Sequence, residues 1–173
     1  MTLDFSVRGQ VKVSMFEYVE EILAAFDKAE PKGAGTKSSA APENLFTVDE
    51  DCEKLLPERI VVFHNLVAKT LYATKRARPD TCTATAFLTT RVRAPDKNDW
   101  TKLSHMMKYL RGTRKMPLIL SANGSGILKW WADAAFAVHP NMRGHSGGGM
   151  SMGTGFPIVG STKQKLNTRS SRS

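Results

Sequence analysis

The stretch "APDKNDWTKLSHMMKYLRGT", residues 94–113, most constrains what this chain can fold into. Pro95 and Asp96 are helix-start signals, and Gly112 is a stop. Between them Trp100, Leu103, Met107 and Leu110 recur at helical spacing. A stripe that apolar must be covered, so other elements have to pack on it. After Gly112 the texture changes. "MPLILSANG", "GILKWWADAAF", "GGMSMG" and "FPIVGST" are short apolar runs separated by glycine-rich turns, the pattern of a sheet. A helical block followed by a run of strands predicts an α+β chain.

Upstream, "LDFSVRGQVKVS" alternates apolar and polar residues around a Gly, which predicts a β-hairpin. Ser14 followed by Glu17 fits a capping box, and Val19, Ile22, Leu23 and Phe26 continue at helical spacing. Residues 31–54 read as a linker: first small residues, Pro and Ser, then the acidic "VDEDCEKLL". Asp49, Glu50 and Asp51 lack the calcium-loop spacing and read as a solvated loop. "PERIVVFHNLVAKTLYATKRARPD" predicts a helix from Pro57 with Phe63, Val67 and Leu71 on one face, Leu66 and Thr70 beside them, and Pro79 ending it. "DTCTATAFLTTRV" predicts a further helix capped by Asp80. The expected core is Phe63, Val67, Leu71, Phe87, Trp100, Leu103, Met107 and Leu110.

Composition enters through charge. The 173 residues carry a net charge of +9, unevenly spread. Residues 1–58 hold six Lys/Arg and twelve Asp/Glu, residues 69–115 hold twelve against three, and residues 134–173 hold five with no acid. A basic middle and tail fit a polyanion such as nucleic acid, or a solvated face. "KRARPD" (Lys75, Arg76, Arg78), "RVR" (Arg91, Arg93) and "RGTRK" (Arg111, Arg114, Lys115) all fall at helix ends. Cations there complement the helix dipole, or cluster into one phosphate-binding face. Tyr72 and Tyr109 would stack on sugars or bases, or pack in the core.

Other chemistry finds little support. Cys52 and Cys82 form neither a disulfide framework nor a zinc spacing, and His64, His105, His139 and His145 make no HxxxH or HExxH. "GFPIVGST" has P-loop glycine spacing, but Ser161 stands where Lys is needed and Lys163 comes two places late, so it reads as a hairpin with glycine turns. There is no GxSxG, and "GHSG" at 144–147 reads as a turn. No run is long enough to span a membrane and there is no leader pattern, so an intracellular, cytoplasmic location is expected. Asp133, in an apolar strand-like run, is the last Asp or Glu of the chain. A buried-strand Asp is either a capped structural residue or a metal ligand.

The order of motifs resembles the polymerase region of copia-type retrotransposons. "LVAKTLYATKRARPD" resembles that family's Leu-Val-x-x-Leu-Leu-Tyr…Arg-Pro-Asp signature. "MMKYLRGT" resembles its Leu-Arg-Tyr-Leu-Lys-Gly-Thr helix, "WADAAFA" its Tyr-Ser-Asp-Ala-Asp-Trp-Ala strand, and "STKQKLNTRSS" its Ser-Lys-Lys-Gln…Ser-Ser run. The resemblance implies the end of a reverse-transcriptase palm and start of the thumb at 1–30, a linker at 31–54, helical thumb and connection at 55–116, and a truncated RNase H-like region at 117–173. The fold expected is a β-hairpin and thumb-like helices followed by an incomplete RNase H-like sheet.

By the same resemblance Asp133 stands at a catalytic, metal-binding RNase H position, with Mg2+ the cofactor of the intact family enzyme. The family's second strand acid is Ala135 here, and its Tyr-x-Asp-Asp motif and Glu-Ala-Glu continuation are absent. The expectation is therefore a fragment that holds an RNA–DNA hybrid or primer–template duplex, works with the remainder of the polyprotein, holds no metal tightly and is inactive alone. The alternatives are a basic nucleic-acid-binding or scaffold protein derived from such a fragment, or a relic without function.

Overall fold

A computed structural model describes residues 1–31 and 35–166. The α+β class holds. Two antiparallel sheets flank four α-helices. The N-terminal hairpin pairs β1 (Thr2–Asp4) with β2 (Gln10–Ser14), Leu3 facing Val13. Gly9 makes its turn at φ +79°, which costs a side-chain-free residue little. Helix α1 (Phe16–Ala29) follows at once. Ser14 closes β2, so the capping box read there does not form; Met15 is the N-cap and gives no side-chain bond.

Helix α2 (Pro57–Arg76) starts at its proline, whose missing N–H would be unpaired there anyway. Its buried face is Phe63, Leu66, Val67, Thr70, Ala73 and Thr74, while Leu71, expected inside, is 38% exposed. The hydroxyls explain the rotation. Thr74 Oγ1 donates to the Thr70 carbonyl at 2.8 Å and lies 2.6 Å from Thr81 Oγ1 and 3.2 Å from Thr85 Oγ1. This buried ladder ties α2 to a 3-10 turn (Pro79–Thr81) and to α3 (Cys82–Thr89). Asp80 does not cap α3: it is taken by Arg78, and Thr81 occupies the N-cap.

Helix α4 (Lys97–Gly112) keeps every predicted signal. Asp96 accepts from the Asp99 amide at 2.9 Å, and Asp99 accepts from the Asp96 amide at 3.1 Å, a reciprocal cap. Trp100, Leu103, Met107 and Leu110 are buried, in one core with Val19, Ile22, Leu23 and Phe26 of α1 and Phe63, Leu66 and Val67 of α2. Each such side chain contributes roughly 1.5–3 kcal/mol by leaving water. Residues 35–54, read as linker, contain no helix or strand but pack on this core. Leu45 is buried, and Lys102 donates to the Thr47 carbonyl. Lys97 N–H donates to the Glu53 carbonyl and Leu55 N–H to that of Pro95, each at 3.0 Å. The acids Asp49, Glu50 and Asp51 are exposed.

The strands after Gly112 divide between two sheets. Strand β3 (Leu118–Ala122) pairs with β2, Val13 facing Leu118, and completes an order β1-β2-β3-β6 with β6 (Gly153–Thr154). Strands β4 (Lys129–Ala135), β5 (His145–Ser151) and β7 (Ile158–Lys163) form a second sheet in the order β4-β5-β7. "GFPIVGST" therefore is not a hairpin; it carries the chain from one sheet to the other through Gly155. That residue sits at φ +75°, and a Cβ there would collide with the Ile119 carbonyl oxygen. Gly155→Ala is expected to cost at least about 1–2 kcal/mol and to release β6. Hydrogen exchange checks this at the Asn123 amide, which donates to the Met152 carbonyl at 3.1 Å. Protection there should drop, whereas Gly160→Ala, with nothing within 4 Å, should leave it intact.

Candidate active site and basic surfaces

Strand pairing decides which side chains of the second sheet share a face, because residues directly opposite in an antiparallel pair point the same way. Asp133 faces Gly147, which faces Ser161; Ala135 faces His145, which faces Lys163. One face thus carries Asp133, His145, Ser161 and Lys163. Helix α3 and Phe46 cover part of it, over β5 and β7. Strand β4 lies at the uncovered edge, and its Trp130 and Trp131 are 67% and 47% exposed. The buried strand expected around Asp133 is an exposed one.

Asp133 itself accepts a hydrogen bond from the Ala134 amide at 2.9 Å and lines an open groove with Trp131, Phe156 and Gly147. Ser161 lies two strands away, about 10 Å between Cα atoms from sheet spacing. Among the described residues no group of three His, Cys, Asp or Glu side chains could hold a metal ion. A two-metal site needs several converging carboxylates, and magnesium needs near-octahedral oxygen ligands. One exposed carboxylate does not fit that ion, so no chemical step is routed through it.

The covered part of the same face holds a connected polar chain. His139 Nε2 lies 3.1 Å from His145 Nδ1, and His145 Nε2 lies 2.6 Å from Ser161 Oγ. His139 and His145 are 3% and 6% exposed. Phe46 packs against both rings, and Phe87 stacks on His139. His139 rides on the β4–β5 loop, where its N–H donates to the Arg143 carbonyl at 3.1 Å and its carbonyl accepts from Met142 N–H at 2.8 Å. Ala137 and Met142 of that loop have φ of +51° and +58°, left-handed conformations that cost non-glycine residues energy. Burial lowers the pKa of His139 to about 4, helped by Lys163 and His145, and burial lowers that of His145 as well. Both rings are therefore neutral at pH 7. "GHSG", read as a turn, is instead the start of strand β5.

The eight cations divide by what they hold. Arg78 is buried, donates to Asp80 at 2.7 Å and reaches the Thr113 hydroxyl at 2.6 Å. Arg91 donates to Asp99 at 2.9 Å and Asp96 at 3.1 Å, and Arg111 donates twice to Asp27. Arg78 and Arg91 are occupied within the fold, and Arg111 is paired with a half-exposed Asp27 at its surface. Lys75 reaches the Val159 carbonyl at 3.3 Å, Arg76 lies over the Tyr72 ring, and Arg114 is 3.5 Å from Glu20; all three are exposed. Arg93 and Lys115 are exposed, with no ion pair among the described residues.

They also divide by place. The Arg78–Thr113 bonds bring the C-terminal ends of α2 and α4 together, and with them Lys75, Arg76, Arg114 and Lys115. Arg91 is bonded at the other end of α4, about 24 Å away along 16 residues at 1.5 Å each. Eight cations on one face are therefore two groups. Of the aromatic candidates, Tyr72 is exposed and Tyr109 is buried.

The sequence reading missed His139, His145 and Ser161. They are 6 and 16 residues apart, without a fixed motif. Alternation marks the strands, but only the pairing register, with His145 opposite Lys163 and Gly147 opposite Ser161, makes His145 and Ser161 diagonal neighbours. The motif "STKQKLNTRSS" lies partly outside the described residues, from Asn167 onward. No helix of the described residues is long and apolar enough to cross a membrane. No family model, curated protein or solved structure matches the chain.

Proposed function

We propose that the chain is a thumb-to-RNase H segment of a copia-type retrotransposon polyprotein, and that it holds an RNA–DNA hybrid or primer–template duplex by its backbone. The order of motifs over the chain supports the family. One observation carries the binding role: the shared C-terminal end of α2 and α4 presents Lys75, Arg76, Arg114 and Lys115 as exposed cations, while Arg78 and Arg111 between them are held by Asp80 and Asp27. Backbone contacts of this kind position a duplex without reading sequence. Asp133 stands at the family's metal position but brings one oxygen ligand set alone, so hybrid cleavage is not part of the role. Mg2+ and the remainder of the polyprotein belong to the intact enzyme of that family.

The test is fluorescence anisotropy with a labelled hybrid across a salt series. Four phosphate contacts give a log–log slope of about −3 to −4. The quadruple variant K75E/R76E/R114E/K115E is expected to lose at least tenfold in affinity and to flatten the slope, and hybrids of unrelated sequence should bind alike. The hybrid should stay intact with magnesium, in wild type and in Asp133→Asn. Salt-independent binding, or an unaffected quadruple variant, would refute the duplex-holding role.

A further inference from the structure

We propose that Ser161, His145 and His139 form a nucleophilic site that hydrolyses short-chain carboxylic esters, a site that borders the proposed duplex-holding surface at Lys75.

The order of atoms is that of an activated serine. Ser161 Oγ meets Nε2 of His145, and Nδ1 of the same ring meets a second group that can orient it. A serine is a poor nucleophile until a neighbouring base takes its proton, and the base works best when a third group fixes its tautomer. The site requires the tautomer in which His145 Nδ1–H donates to His139 Nε2, which leaves Nε2 of His145 as the lone-pair acceptor for the Ser161 hydroxyl. Three observations hold the rings in place. Both histidines are buried against Phe46. The loop bearing His139 is pinned by two backbone bonds across it. That loop keeps Ala137 and Met142 in left-handed conformations, the kind of stored strain found where a side chain must be placed.

The serine faces a space. Ser161 lines a cavity of about 180 Å³ with Leu71, Ala86, Thr89, Lys75 and Lys163. Leu71 and Ala86 suit a short acyl chain. Lys75 and Lys163 also line it, so positive charge borders the cavity in which the developing oxyanion of acyl transfer would need stabilising. A cavity of this size accommodates a short acyl chain, which sets the proposed substrate class.

The step balances without any other reagent. Ser161 Oγ adds to the ester carbonyl carbon as its proton passes to His145 Nε2. The tetrahedral oxyanion collapses, the bond to the alkoxy oxygen breaks, and that oxygen takes the proton from His145 and leaves as the alcohol. Water then attacks the acyl-Ser161 carbonyl while giving a proton to His145; the bond to Ser161 Oγ breaks, His145 returns the proton to Oγ, and the carboxylic acid and free serine result. His139 acts through His145 and is a positioning residue.

The experiment uses the full chain. It is incubated with a fluorophosphonate probe, the adduct is mapped by mass spectrometry, and p-nitrophenyl acetate turnover is followed. The expected result is a single adduct on Ser161, with turnover lost at least a hundredfold in Ser161→Ala and His145→Gln. His139→Gln offers an amide oxygen to His145 Nδ1 and should retain labelling, whereas His139→Leu should lose it. Thermal unfolding verifies that each variant is folded, and the wild-type adduct map needs no variant at all. Absence of an adduct on Ser161, equal labelling of the exposed Ser125, or equal loss in both His139 variants would overturn the site.

Discussion

Arg91→Ala is expected to destabilise the fold by about 3 kcal/mol without changing the salt dependence of hybrid binding. Arg91 holds two carboxylates that are almost fully buried, Asp96 at 1% and Asp99 at 1% exposure. Burial pushes the Asp99 carboxyl above its ordinary value despite Arg91. Burial also opposes the charge on Asp96, but the Asp99 amide, Arg91 and Lys54 outweigh it and hold that carboxyl below its ordinary value. Removing the arginine leaves two acids side by side at the start of α4, with Lys54 3.5 Å from Asp96 and Lys102 near both. Breaking a buried pair in this way costs about 3–5 kcal/mol, and the low end applies because the Arg91 side chain is itself 21% exposed. Arg93→Ala, two residues on and exposed, is expected to stay within about 0.5 kcal/mol. Urea unfolding of the two variants gives the comparison. If Arg91→Ala unfolds like wild type and instead weakens the hybrid as the quadruple variant does, its place in the fold has been misjudged.

The second large effect is acid sensitivity from the histidine pair. In the unfolded chain both rings titrate near pH 6.5, whereas burial holds His139 at about 4 and lowers His145. Between those values the unfolded chain binds more protons than the folded one, so stability falls as pH falls. The contribution is complete above pH 6.5 and is lost progressively toward pH 4. For His139 alone the loss is on the order of 2–3 kcal/mol. Lys163, beside the pair, strengthens the effect, since a second positive charge would be placed near it. The Asp96 carboxyl, held low, titrates below this window. Urea midpoints at pH 7.0 and 4.5 measure the loss, and His139→Gln should keep only the His145 share of it. A variant with the full wild-type slope would show that His139 is not the group responsible.

Much of the helical part was legible because its signals are local. Pro95, Asp96 and the stripe from Trp100 to Leu110 place α4 within a residue, since caps and helical spacing are set by neighbours three and four apart. The α+β class, the Gly9 hairpin and the start of α2 at Pro57 follow in the same way. Local rules erred where a tertiary partner competed. Ser14 was drawn into β2, Asp80 was taken by Arg78, and the Thr70–Thr74 face was turned inward by hydroxyl partners on α3, leaving Leu71 outside.

Charge and site depended on the tertiary structure almost entirely. Position at a helix end says that a cation suits the dipole, not whether a carboxylate from another element will meet it. Asp27, Asp80, Asp96 and Asp99 took three arginines out of the basic set, and the length of α4 split the rest. The His139–His145–Ser161 chain required a strand register and a pinned loop. The sequence by itself determined where most helices and strands lie, because those preferences lie within a turn or a pleat. Only the tertiary structure decided which polar groups meet, because a hydrogen bond forms over about 3 Å, and nothing in residue order records a distance between strands 16 residues apart.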